Sequence, residues 1–260
     1  MISSYFHAGS GAGDQLFRFI TSRTIAEQME VPHGMEGSEN CKVLDFMRLP
    51  PFYSSVFYNK KWEEKCIRDE NGVDVRSFDP ESQFLQPNTI IDGSFEDSRY
   101  WGHNLKNINK WLAVEPLNVP NNTCVIGFRG GEYYSNPDLG LPNSYFRECI
   151  QMMIDKDISN FQVHTDDPSL ARKIIPYDGV EIIDNEPITH SKHTNMGFNW
   201  RSARYAKYAI IPNSAFFILP RLLKHFEDPT AVTIAPRYWA RRNTKTWARP
   251  ACFYKPFTYV

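Results

Sequence analysis

The stretch Cys124–Tyr134, CVIGFRGGEYY, sets one arginine, Arg129, among the glycines Gly127, Gly130 and Gly131. Cys124, Val125 and Ile126 form an apolar run with the length and β-branched content of a buried strand. Glycines let backbone approach a ligand closely, and a planar guanidinium grips two phosphate oxygens at once. The pattern fits a phosphate site at a strand end; a glycine turn with a solvated arginine has the same composition. Two loop carboxylates, Asp14 and Glu132, have the chemistry to take a proton from an attacking hydroxyl. Asp14 equally suits a helix N-cap, and Glu132 a simple ion pair with a neighbouring cation.

Other residue groups argue against particular chemistries. His190 and His193, at i and i+3, have no third ligand nearby, so a solvated loop is expected and no metal site is assigned. The five cysteines (Cys41, Cys66, Cys124, Cys149, Cys252) are scattered without a C-x-x-C pair and read as reduced core thiols, which places the protein in the cytoplasm. Net charge is −1, so no nucleic-acid partner is expected. The opening residues lack a basic region followed by an apolar stretch, so no signal peptide is expected. The longest apolar run, Ala215–Leu219, is too short to span a bilayer. A basic aromatic tail (Arg237, Trp239, Arg241, Arg242, Lys245, Trp247, Arg249) is expected to pack back across the domains, with peripheral membrane contact as its alternative. Phe52, Tyr53, Phe57, Tyr58 and Trp62 suit an acceptor platform, a lid or a core.

The elements that must position these residues are unevenly marked. A strand over 2–7, glycines Gly9, Gly11 and Gly13, and a helix over 14–30 capped by Asp14 make a strand–glycine loop–helix unit suited to an anion. A dinucleotide fingerprint competes, but the spacing is G-x-G-x-G and no acidic strand end is evident about 20 residues later. Strands over 42–46 and 88–92 and a helix over 95–112 follow, with an exposed loop over 68–74. Pro116, Pro120 and the asparagines around them suggest a linker. Beyond it, strands over 123–128, 161–164, 180–183, 208–211 and 231–234 alternate with helices over 143–154 and 199–207, and with helices opening at Pro168 and after Ser214, the last expected to kink at Pro220. Such alternation implies a parallel sheet whose ligands sit at the carboxyl ends of its strands, where Arg129, Asp166, Asp167, Asn213 and Ser214 all fall.

Six segments in this order resemble the α-1,2-fucosyltransferases of glycosyltransferase family eleven, and more distantly the α-1,6- and protein O-fucosyltransferases. They are GSGAGDQLFRFITSRTIAEQM, IDGSFEDSRYW, VIGFRGGEY, FQVHTDDPSLAR, AKYAIIPNSAFF and TIAPRYW. The resemblance implies a GT-B-like α/β fold, two Rossmann-like domains facing a central cleft: an acceptor-side domain over 1–118, a nucleotide-sugar domain over 119–236 and the tail over 237–260. It implies an inverting, metal-independent transfer of a sugar, with GDP-fucose as co-substrate, to a glycan or glycoconjugate, and no cofactor. By position, Arg129 would grip the donor diphosphate, Ser214 and Phe216 would meet it, and Asp167 would face the ribose. Gly11, Gly13 and Gln15 would line the cleft, Gly127, Asp166 and Asn213 fall within the same donor segments, and Asn199 takes the place of a base-contacting residue. The departures are Gly127 for the motif histidine, Gly130 for the second arginine, Glu132 for the aspartate, Asp14 for the opening asparagine, Asn199 for a guanine-binding aspartate and Ala215 for a hydroxyl. An amide offers the guanine edge one acceptor where a carboxylate offers two, at a cost of roughly 1.5–3 kcal/mol for a lost charged bond. Another nucleotide sugar, or a non-catalytic nucleotide-sugar or glycan-binding protein, therefore stays open as an alternative.

Overall fold

A computed structural model describes the chain except at residues 55, 66, 69–73, 76–77, 137, 184–193, 241–248 and 251. It divides into two units, Met1–Ala113 and Val114–Val260. In the first unit, β1 (Ile2–Tyr5) leads through the glycine loop to α1 (Ala12–Gln28), then β2 (His33–Glu36) and β3 (Lys60–Glu63). A two-stranded antiparallel hairpin, β4 (Ile67–Arg68) and β5 (Asp74–Val75), precedes β6 (Thr89–Asp92) and a short helix α2 (Leu105–Trp111). β1, β2, β3 and β6 form one parallel sheet in the order β2-β1-β6-β3. Ile2, Leu16, Phe17, Phe19, Ile20, Ile90 and Ile91 have no exposed surface, which fixes α1 against this sheet.

The second unit begins at β7 (Thr123–Phe128) and runs through α3 (Glu132–Ser135), α4 (Asn143–Ile154), β8 (Asn160–Thr165), α5 (Pro168–Ile174) and β9 (Val180–Ile183). It continues with α6 (Thr194–Tyr205), β10 (Tyr208–Ile210), α7 (Ala215–Glu227), β11 (Val232–Ala235) and β12 (Phe257–Tyr259). All six strands are parallel, in the order β12-β11-β10-β7-β8-β9. Chain order therefore runs outward from β7 to one edge, returns, and runs outward from β10 to the other. This is the doubly wound arrangement, and its direction reverses between β7 and β10. Every β7 residue is buried, as a central strand covered on both faces requires.

Three expectations need correction. Residues 42–46 are a turn, and the second strand of the first sheet is instead β2, where Gly34 has no room for a side chain: a Cβ there would lie 2.4 Å from Val56 Cγ1. The expected helix over 95–112 is helical only from residue 102. Of the tail, β12 adds the outermost strand beside β11 in the second unit. Its basic residues Arg241, Arg242, Lys245 and Trp247 of the same stretch lie outside the described residues, as do His190, His193 and Cys66. Finally, β2 ends in the acidic Glu36, so the acidic strand end thought missing exists, although the glycine spacing remains G-x-G-x-G.

Candidate functional site

In doubly wound sheets ligands bind beyond the carboxyl ends of the strands, where strand order reverses. In the second unit that point is flanked by Arg129, one residue past β7, and by the turn Pro212–Ser214 between β10 and α7. The first backbone N–H groups of a helix lack intrahelical partners and carry partial positive charge, so the start of the 13-residue α7 adds to the positive side of this point. Its cap residue Ser214 is buried, and Phe216 packs edge-on to Trp200 and Phe217.

Arg129 is about one-third exposed and is not a lone cation. Its Nη1 donates to Asp166 Oδ2, its Nη2 lies 3.4 Å from Glu132 Oε1, and its guanidinium sits 5.2 Å from the centre of the Tyr133 ring. Asp166 also accepts from the Gly130 N–H at 2.7 Å, which holds the glycine loop against β8. Asp167 caps α5, accepting from the Leu170 N–H at 3.0 Å, while its own N–H donates to Thr165 Oγ1 at 2.9 Å. One cation thus meets two carboxylates, and any anion reaching the guanidinium would have to compete with Asp166 and Glu132.

Two of the glycines stand where a side chain would collide. A Cβ on Gly127 would lie 2.8 Å from both Phe217 Cε1 and Pro212 Cδ, so the strand end admits no histidine. A Cβ on Gly130 would fall 2.3 Å from Asp167 Cβ, which excludes a second arginine. Gly131, at φ +49°, occupies the left-handed region that favours glycine and turns the loop into α3. Asn213 is buried, with its amide donating to Leu139 O at 2.8 Å and Trp239 O at 2.6 Å, so it ties two loops to the β10–α7 turn. Asn199 is buried on α6 with Oδ1 3.3 Å from His164 Nδ1. Burial holds the His164 imidazole down to about 4, so it is neutral. Its Nε2 has no hydrogen-bond partner among the described residues.

The glycine loop of the first unit is placed differently from its sequence reading. Gly11, not Asp14, is the cap of α1; Asp14 stands at the third helical position and accepts from the Gly11 N–H at 3.2 Å. The cap expected of Asp14 is corrected to that reciprocal bond, since a carboxylate at this position reaches back to the cap N–H. Gly13 is buried in the first turn. Gln15 is fully buried: its Nε2 donates to His7 O (3.1 Å) and Asn40 O (2.8 Å), and its Oε1 accepts from the Lys42 N–H (2.9 Å). The aromatic set splits. Phe52 stands in a ring cluster with Phe6, Phe19 and His33, and Trp62 stacks on Phe95, whereas Tyr53, Phe57 and Tyr58 are exposed.

Sequence reasoning missed a second cluster, at the carboxyl end of the first sheet. Asp92, closing β6, receives Arg18 Nη1 from α1; His7 Nε2 lies 3.3 Å from the same oxygen, and Lys61 Nζ of β3 lies 3.8 Å from the other. Burial alone would raise the Asp92 carboxyl, but the bonds from Arg18 and His7 outweigh it and hold it below the usual carboxylate range. The available signal was a histidine ending one strand and an aspartate ending another; the adjacency of β1 and β6 is what joins them.

Among the described residues, no group of three or more His, Cys, Asp or Glu side chains is arranged to hold a metal ion, and no helix is long and apolar enough to cross a membrane. No protein-family model and no curated protein matches the chain. Solved structures do resemble it. The fucosyltransferase NodZ from Bradyrhizobium is 12% identical, with a TM-score of 0.47, over 85% of this chain and 93% of that one. The NodZ α-1,6-fucosyltransferase soaked with GDP-fucose gives 12%, 0.47, 85% and 92%. The E. coli heptosyltransferase WaaC with ADP is 10% identical, with a TM-score of 0.46, over 91% and 86%. Similarity at that level leaves the function to be argued from the residues.

Proposed function

We propose that the protein is a GT-B-like glycosyltransferase that binds a nucleotide-diphosphate sugar at the β7/β10 end of its second unit and passes the sugar, with inversion, to a glycan hydroxyl. The carrying observation is that Arg129 and the start of α7 flank the point where strand order reverses. The acceptor oxygen attacks the anomeric carbon as that carbon's bond to the diphosphate breaks, and the electron pair leaves with the nucleoside diphosphate. Arg129, once released from Asp166, and the α7 N–H groups meet the developing charge. GDP-fucose is the donor we assign, on the six-segment resemblance. Asn199 and Ala215 weaken guanine recognition relative to the family pattern, so other donors belong in the test.

A second reading, a nucleotide-sugar-binding protein without turnover, is favoured by the pairing of Arg129 with Asp166 and Glu132 and by the closed space at Gly127 and Gly130. Thermal shift against GDP, UDP, ADP and their sugars, followed by donor turnover with a panel of oligosaccharides, separates the two. Ligand at 100 times its Kd stabilises by about 2.7 kcal/mol, a shift of several degrees. Binding with turnover supports the transferase, binding without turnover supports the second reading, and no shift with any nucleotide removes both.

A further inference from the structure

We propose that a cavity within the first unit, between α1 and the start of β2, is a binding site for the ring of a neutral sugar. The cavity holds about 340 Å³, at the small end of ligand pockets, which run from about 300 to 1,000 Å³. Its walls include Arg23 and Glu27, one turn apart on α1, His33 at the start of β2, and the segment Pro51–Tyr53. His33 pairs with Ile2, the first residue of β1, so the cavity lies at the amino end of this sheet, whereas the Asp92 cluster lies at the carboxyl end. Tyr53 is fixed alongside β2: its N–H donates to His33 O at 3.1 Å, and its carbonyl accepts from the Met35 N–H at 2.8 Å.

Two polar atoms beside this cavity have no hydrogen-bond partner among the described residues, His33 Nδ1 and Arg23 Nε. Ser22 Oγ gives its one proton to the Arg18 carbonyl at 2.8 Å, so the 2.8 Å contact between Ser22 and His33 Nε2 is donated by the ring. Nδ1 is therefore a lone-pair acceptor. Burial, with the Arg23 charge beside it, holds the imidazole down to about 3, so it keeps that role at neutral pH. Arg23 Nε is a donor; its Nη1 is taken by Pro51 O at 3.0 Å, and the guanidinium lies 5.0 Å from the centre of the Trp111 ring. Buried polar groups are normally paired in native folds, so an orphan acceptor and an orphan donor beside one cavity mark what an occupant supplies. A hydroxyl supplies both, donating to Nδ1 and accepting from Nε.

The charges also favour a neutral ligand. Arg23 is offset by Glu27 four residues on, and Glu27 is itself held by the amides of Asn104 and Asn107 at 3.1 and 3.3 Å. Phe52 and Tyr53 supply the apolar face: Phe52 stands edge-on to Phe19 and His33, and Tyr53 is 59% exposed. A pyranose brings an apolar C–H face to such a ring and hydroxyls at its rim. This site goes beyond the transferase reading and does not need it, since no nucleotide takes part.

The test titrates methyl glycosides of glucose, galactose, mannose, N-acetylglucosamine and fucose, without nucleotide, into the parent, Tyr53→Ala and Arg23→Lys proteins. Calorimetry reads the affinity, and nitrogen NMR reads the His33 Nδ1 resonance. The parent should bind at least one glycoside saturably, with the Nδ1 signal moving as the lone pair accepts a hydroxyl. Tyr53→Ala should keep the parental melting temperature, because the side chain is exposed, and weaken binding about tenfold. Arg23→Lys keeps the charge but removes the Nε–H, and should weaken binding by a similar factor. No saturable binding of any glycoside, or binding that leaves the His33 signal in place, overturns the proposal. Neither result touches the transferase reading, which fails on nucleotide binding and donor turnover alone.

Discussion

Each unit closes its sheet with one arginine on one aspartate, yet the two pairs differ in what can displace them. Arg18 of the first unit is buried, only 10% of its side chain exposed, and is anchored on a helix interior to Asp92. Arg129 of the second unit is 32% exposed, on a glycine loop, with an exposed Glu132 as its further partner. A buried pair holds its partner in place and is costly to break; an exposed one is worth little to folding and can trade its carboxylate for a phosphate. The first pair thus holds its residues in the fold, and the second is the one that solvent reaches.

Acid should expose the largest effect, and it tests both units at once. Burial holds His33 of the first unit down to about 3, and His164 and His225 of the second down to about 4. Each stays neutral in the fold but takes a proton once unfolded below about 6.5. Their contributions are therefore complete above that pH and are lost as pH falls through the window to about 3–4, on the order of 3–5 kcal/mol each at most. Thermal melts from pH 7 to pH 4 should show steadily falling Tm, and His164→Gln should flatten the decline; a Tm independent of pH over this range would contradict the buried placements.

Arg18→Met comes next. It leaves Asp92 short of its main cation and should lower stability by about 2–3 kcal/mol, read by urea denaturation. Arg129→Ala should leave stability within about 0.5 kcal/mol but cut donor turnover by ~10²-fold or more, as lost preorganised donors do. The reverse outcome, a stable Arg18→Met and an unstable Arg129→Ala, would invert the comparison. Gly130→Ala, whose methyl meets Asp167 Cβ, should cost about 1 kcal/mol by forcing the β8–α5 turn to shift. Its signature is a weaker GDP affinity together with a lower Tm.

The second unit was the readable one. A central parallel strand covered on both faces is a continuous apolar run, so Thr123–Phe128 shows itself in sequence, and the alternation of strands and helices after it follows. The first unit showed β1 and β6 but hid two strands: β2 is HGME, with a glycine demanded by Val56, and β3 is KKWE, largely exposed. Neither carries apolar periodicity. Arg129, Asp166 and Asp167 were legible as strand-end residues, but their mutual pairing was not, because ion pairs depend on which strands are neighbours. The same blindness hid His7 and Asp92, 85 residues apart and joined only by the pairing of β1 with β6.

A crystal structure with GDP bound tests the central claim most directly. The account predicts the diphosphate beyond β7 and β10, on the Arg129 guanidinium and the first-turn N–H groups of α7, with Asp166 displaced from Arg129. A nucleotide lodged elsewhere, with Arg129 still closed on Asp166, would contradict it.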